Sequence, residues 1–444
     1  MDVNERLEYL DREYLSDFDV SDVDIHANIE RQAAFDKPVY ETKPYAITED
    51  ESLEDNTYLS YNAVIGTSVD AKLYLAFQIL DYALVMTPGA PVKQALLDAG
   101  ISTDVYSSYE TSLYQPVYSI VAKNSNSKEQ GRFVSVINDT LEKLVKDGIN
   151  ERTIEAGINY YEFKYREADY GPYPKGLMYY LTMMDSWLYD ETKPFIHIEA
   201  GDTFDELKKD ARNGYFEKLI KEYLLDNNHK SIISLVPEYG LEKEKEQKEA
   251  DKLAEYKSTL TNDELKELVK KTKELKEYQD APSSQEELEK IPMLELSDIK
   301  REPAKDYNDV KSVDGIKIVH HNIFTNKIAY INLSFDTKCV PDELIPYMGL
   351  LGSTLSLMDT KNYTYPELTN EININCGGLA TGTALYSDKV DFSKNTIVYE
   401  VKSKALYEKV PFVLGMMEEI MYNTRFDDYK RLKAVSYTHL TLPT

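Results

Sequence analysis

The chain has 444 residues, 42% hydrophobic and 29% charged. That is an ordinary globular balance and more length than one core commonly supports, so two or three domains are expected. Its formal charge of −27 argues against nucleic acid, because phosphate recognition needs clustered Lys and Arg; an acidic surface serves solubility or steers basic peptides. No unbroken run of about 18 apolar residues occurs, so no membrane partner is expected.

Residues 1–15 read as an amphipathic helix with Leu7, Leu10 and Tyr14 on one face, followed by an extended acidic stretch from Ser16 to Asp24. Residues 1–26 are therefore assigned to the end of a preceding domain. A second domain is expected over 27–240. Within it, 57–67 reads as a strand, 71–85 as a helix, Thr87–Pro88–Gly89 as a turn and 91–98 as a helix ending at Gly100. Strand-like runs at 105–111 and 116–124 precede a helix over 128–146 and another from about 150 past Tyr165.

Residues 241–300 have a different composition. Leu241 to Tyr278 is dense in Glu and Lys without Gly or Pro, broken at 260–263, and reads as a charged helical hairpin with Thr261 or Asn262 as N-cap. An incomplete third domain is expected over 301–434. Here 328–337 reads as a strand, 341–357 and 365–375 as helices, 381–388 and 395–403 as strands, and 405–424 as a helix. Strand, two helices, two strands, then helix is the order of the second domain again. The fold class is thus α+β: a duplicated unit of mainly antiparallel sheet with helices on one face, joined by the hairpin. The stretch 416–434 is expected to be one charged helix. The final residues 435–444, VSYTHLTLPT, break its pattern, resemble one reading frame of a sequencing adapter, and are excluded from the fold expectation.

Chemistry-bearing patterns are sparse. Neither HExxH nor HxxEH occurs, and no GxSxG, GxGxxG or GxxxxGK[ST] is present. Adjacent His320 and His321 fall in a strand run, where neighbours point to opposite faces and cannot share one ion. His26, His197 and His229 stand alone, and His439 lies in the excluded tail. Gly377, Gly378 and Gly382 are spaced wrongly for a phosphate cradle and are expected to shape turns. Carboxylate pairs discriminate nothing in so acidic a chain. Cys339 and Cys376 are the only cysteines, which favours a reducing compartment and a cytoplasmic location, or an organelle if a transit peptide precedes Met1.

Four stretches together carry a resemblance: NERLEYLDREYLSDF, GLMYYLTMMDSWLYD, YFEKLIKEYLLDNNHKSIISLVPE and LKELVKKTKELKEYQDAPSSQEELEKIPMLELSDIKRE. In order and spacing they resemble the pitrilysin/insulinase-type zinc metallopeptidases, in the presequence-protease branch with its peptidase-associated central domain. The resemblance implies four related α+β domains closing in two halves around a chamber that degrades unfolded peptides. It implies zinc in the intact parent protein and none bound by this piece. The family's HxxEH and distal Glu ligand would lie upstream of Met1, and its catalysis-aiding Arg/Tyr pair beyond Ala434, so no catalytic or metal residue carries over. Partners implied are unfolded peptides and the missing halves of the same polypeptide.

In insulinase-type relatives a Gly-containing turn and a following strand of the second domain hold the peptide N-terminus. Thr87, Pro88 and Gly89, with Val105, Tyr106 and Tyr109, occupy the corresponding places, although this strand lacks those relatives' glycines. They are the candidate substrate-binding residues. A non-catalytic partner subunit, or a peptide-binding or structural module of the same fold, is the alternative reading.

Overall fold

Every second residue of Thr57–Val64 is buried and the residues between are half-buried, as expected of a strand covered more fully on one side. The computed structural model, which describes residues 2–19, 29–291, 293–302, 307–388 and 390–440 (without the side chains of 437–440), sets this strand at the centre of a sheet. The five strands are β1 (Val39–Ile47), β2 (Thr57–Val64), β3 (Asp104–Glu110), β4 (Val117–Ser125) and β5 (Lys230–Tyr239), in the order β1-β5-β2-β4-β3. All pairs are antiparallel except β1 with β5. Neither β1 nor β5 stands out in the sequence. β1 is an exposed edge with Pro44 and charged residues, so its alternation is blurred.

An isolated helix, α1 (Val3–Glu13), precedes the sheet and buries no residue. Ser16 and Asp17 lie in a short 3-10 turn rather than extended chain, and residues 20–28, including His26, lie outside the described residues. Helices cover the sheet's inner face: α2 (Ala71–Asp81), α3 (Pro91–Asp98), α4 (Gln130–Asp147) and α5 (Glu151–Glu167). α2 starts where the Asp70 carboxylate accepts from Leu73 N–H at 3.0 Å. One wide π-type turn, Tyr82–Met86, separates it from the Thr87–Gly89 turn. Averaged over Ala71–Asp98 the chain is apolar and long enough to match a membrane span, but that turn divides it and most of it is buried in the protein. The core gathers Leu59 and Tyr61 of β2, Phe77 of α2, Tyr118 of β4 and Phe133 of α4, all fully buried. Further helices α6 (Lys175–Trp187), α7 (Gly201–Asp210) and α8 (Tyr215–Leu219) lead to β5.

The charged segment folds as α9 (Leu241–Thr259) and α10 (Asn262–Asp280), neither of which buries a residue, followed by α11 (Gln285–Glu289). Of the two expected N-caps, Thr261 takes the place: Glu264 N–H donates to Thr261 Oγ1 at 3.3 Å and Thr261 N–H to Glu264 Oε2 at 2.8 Å.

The second unit begins with a free-standing hairpin, β6 (Asn308–Val313) and β7 (Ile316–His321). Its main sheet holds β8 (Ile328–Asp336), β9 (Leu379–Ser387) and β10 (Asn395–Leu406) in the order β8-β10-β9. Helices α12 (Ile345–Thr354), α13 (Tyr365–Asn375) and α14 (Val410–Tyr422) pack with it. The run β2-α2-α3-β3-β4-α4 is thus repeated as β8-α12-α13-β9-β10-α14, with matching sheet order, which is the duplication seen in the sequence.

Three local expectations are corrected. Ala405 and Leu406 belong to β10 rather than to the following helix. The stretch 416–434 is two helices: α14 ends at Tyr422, and α15 (Tyr429–Leu440) starts after a non-helical link and crosses residue 435 unbroken. Among the three glycines, only Gly378 has a positive φ, +124°. Gly382 instead lets β9 meet α12, since a Cβ on Gly352 would lie 2.8 Å from the Gly382 Cα. A Cβ on Gly377 would overlap the Phe163 ring.

Candidate peptide-binding edge and the contact between the units

β3 ends the first sheet, and among the described residues no strand pairs with its outer side. An edge strand exposes unpaired N–H and C=O groups and can take an added strand. Its side chains alternate. Val105 is fully buried, while Tyr106 is 45% exposed on the opposite face. Tyr109 faces inward, its ring centroid 5.9 Å from Phe77 and 6.4 Å from both Tyr74 and Tyr118. Its hydroxyl is buried without a hydrogen-bond partner. Burial pushes the Tyr109 phenol well above its ordinary range, so it stays neutral. Of the three, Tyr106 alone is placed to meet a bound chain.

The Thr87–Gly89 turn lies elsewhere. Thr87 is buried, and its N–H closes the wide turn onto the Tyr82 carbonyl at 3.0 Å. Gly89 has φ +74°, and a Cβ there would meet Pro366 Cγ of α13 at 3.2 Å. Among the described residues no hydrogen bond joins the turn to β3. The six candidates therefore fall into two groups, one on the sheet edge and one against the second unit.

Below β3, Asp81 is buried at the end of α2, and Tyr118 OH donates to it at 3.0 Å. Burial raises its carboxyl above the usual range, only partly offset by hydrogen bonds from Ser107 and Tyr118.

A set of residues not singled out in the sequence joins the units, along α5 and α13. Lys404 Nζ reaches both oxygens of Glu167, at 2.8 and 2.6 Å, and Tyr330 OH donates to the same carboxylate at 2.8 Å. Partial burial and that carboxylate push the Tyr330 phenol up to about 12. Asn373 Nδ2 donates to Tyr82 OH at 2.6 Å and Asn370 Nδ2 to Thr153 Oγ1 at 3.1 Å. Arg152 pairs with Glu371, and Phe163 fills the notch at Gly377. Tyr82, Ala156 and Ile374 are buried together between the units. The partners are 163 to 291 residues apart along the chain in the Tyr330, Lys404 and Asn373 contacts, so no local spacing could reveal them.

On the outer face of the second sheet, Glu400 accepts from Asn332 Nδ2 at 2.7 Å and Tyr386 OH at 2.8 Å, with Lys402 Nζ at 2.5 Å. Burial pushes this carboxyl up, but the hydrogen bonds from Asn332, Lys402 and Tyr386 outweigh it and hold it at about 2. Those side chains cover the carboxylate on a sheet face that is otherwise open.

The histidines do not converge. His197 Nε2 donates to the Ser68 carbonyl at 2.8 Å, its ring stacked on Tyr74, and burial lowers its pKa so that it stays neutral. His229 is buried edge-on against Phe35. His320 and His321 sit on the exposed hairpin. Among the described residues no group of three or more His, Cys, Asp or Glu side chains is placed to hold a metal ion. Zinc does not fit the residues described, and no step through it is assigned to them.

Two family models match: one described as "Peptidase M16 inactive domain" over residues 1–161, and one described as the associated domain of the C subfamily of M16 peptidases over 235–436. The Clostridium perfringens protein HypA is 39% identical over 98% of this chain and 44% of its own length. Presequence protease 1 of Arabidopsis thaliana, chloroplastic/mitochondrial, is 29% identical over 95% of this chain and 39% of its length. A solved pitrilysin structure matches 90% of this chain and 39% of its own, at 14% identity and a TM-score of 0.42. The chain thus spans under half the length of these relatives. It belongs to the M16 peptidases, the pitrilysin/insulinase type, in the presequence-protease branch with its associated central domain.

Proposed function

We propose that this chain is the non-catalytic portion of a zinc-dependent endopeptidase acting on unfolded oligopeptides. In this reading it supplies wall and hinge of a closed chamber and works together with further polypeptide that carries the metal. The match of residues 1–161 to a domain described as inactive supports a non-catalytic role, and the names of the relatives support peptide substrates. In the intact protein, zinc would activate a water for attack on the scissile carbonyl; the residues described here bind and orient peptide instead.

The observation that carries the reading is the unpaired outer edge of β3, with Tyr106 exposed beside it. An extended peptide adds there as a sixth strand, its backbone satisfied by β3 and one side chain resting on Tyr106. Val105 and Tyr109 hold that strand from below, and the Thr87–Pro88–Gly89 turn braces it through α13. Anisotropy of a labelled extended peptide tests this. Tyr106→Ala is expected to weaken binding at least fivefold, and Gly89→Asp less, because Gly89 faces Pro366. Unchanged affinity in Tyr106→Ala would remove β3 as the anchor. A reducing compartment belongs to the same reading, supported by two cysteines that form no disulfide; fractionation of the native cells checks it.

A further inference from the structure

The two units differ at one sheet edge. β2 is flanked on both sides, by β4 and β5, and its inward residues Leu59, Tyr61 and Ala63 are fully buried. β8 holds the same place in the second unit. It pairs with β10, and among the described residues nothing pairs with its other side. Its inward row shows the consequence: Ile331 and Leu333 are only half-buried, and Phe335 is 43% exposed.

The hairpin before it is also unsatisfied. Val310, Val313, Ile316, Ile318 and Val319 are all exposed, and a lone two-stranded hairpin is marginal in water. Open volume lies between hairpin and sheet, where His321 of β7 and Tyr330 and Asn332 of β8 line a cavity of about 520 Å³.

The first unit shows how such a gap is closed. β1 directly precedes β2 in the chain, yet the two do not pair; β5 lies between them, antiparallel to β2 and parallel to β1. β7 directly precedes β8 in the same way. We propose that β7 and β8 are the two walls of a strand slot. One extended segment fills it, antiparallel to β8 and parallel to β7, making a six-stranded sheet ordered β6, β7, inserted strand, β8, β10, β9. The occupant is a segment of the same polypeptide C-terminal to α15, as β5 is C-terminal to α4 and α5. It presents apolar side chains at alternate positions to continue the row of Ile331, Leu333 and Phe335. This rests on the reading that the chain works with further polypeptide.

Amide hydrogen exchange tests it in two proteins. In the 444-residue chain, alternate amides of β8 exchange fast while those of β10 are protected. In the full-length Clostridium perfringens relative, the strand aligned with β8 is expected to be protected at least tenfold more strongly. A lysine at the position aligned with Phe335, a residue that stays partly exposed here, is expected to remove that extra protection while leaving the β10 strand unchanged. Equally fast exchange of the β8 strand in both proteins overturns the slot. Protection that appears in the short chain alone and rises with its concentration overturns the occupant, because a second copy then fills it. Peptide hydrolysis by the relative is scored separately. A protected strand without hydrolysis sinks the proposed function and leaves the slot, and hydrolysis with an unprotected strand does the reverse.

Discussion

The five-stranded and three-stranded sheets are built on one plan, yet they bury their inner faces to different depths. Leu59, Tyr61 and Ala63 are sealed by a strand on each side and helices below, whereas Ile331, Leu333 and Phe335 have a strand on one side only. Helices alone do not dry a strand; its lateral neighbours complete the seal. The first unit should therefore hold most of the folding stability in this chain, and the second should borrow stability through its contact with α5.

The largest effect expected from that difference is in paired truncations. Leu59→Ala should cost about 3 kcal/mol and Leu333→Ala about 1 kcal/mol in urea unfolding, because only the first leaves a sealed cavity. Equal costs would erase the contrast. Next, Gly377→Val drives a side chain into the Phe163 ring and should cost about 2 kcal/mol by overpacking. Phe163→Ala in that background should recover part of it, which a simple loss of glycine flexibility would not allow. Smaller again is Lys404→Met, which strands the nearly buried Glu167. The pair is partly solvated on the lysine side, so about 1–2 kcal/mol is expected. A double-mutant cycle with Glu167→Gln should show coupling between units.

The last test concerns a slope. Asp81 has a raised pKa in the folded state, so the native chain holds a proton that the unfolded chain releases. Stability should fall as pH rises from the ordinary Asp value up through the raised one, and the loss is complete above it. Asp81→Asn keeps an acceptor for Tyr118 OH and should flatten that slope. Glu400 runs the other way: held at about 2, it contributes above its ordinary value near 4.5 and is lost as pH falls toward 2. A pH series of denaturant midpoints on the wild type and Asp81→Asn separates the two.

Legibility in the sequence follows the range of the interaction. The helices at 91–98 and 365–375 and the capping box at Thr261 are readable because their signals lie within a few residues. β2, β4 and β8 show through alternation or β-rich composition. β5 reads KSIISLVPEY, with buried Lys230 and Ser234 in its inward row, so polarity hides its face. The free edge of β3 depends on which strands end a sheet, and composition does not encode that. Gly377 resembles a turn residue because nothing near it in the chain announces Phe163.

The charged connection between the units has a separate consequence. α9 and α10 bury no residue, while α13 meets α5 through a ring in a notch and a set of paired side chains. Alignment of the two sheets is therefore encoded in the docking faces, and the connector acts as a tether that keeps their effective concentration high. Loop-closure entropy grows only slowly, by about 0.6 kcal/mol per doubling of length. Length changes in the connector should be tolerated in evolution and in engineering, where a single methyl group at Gly377 is not.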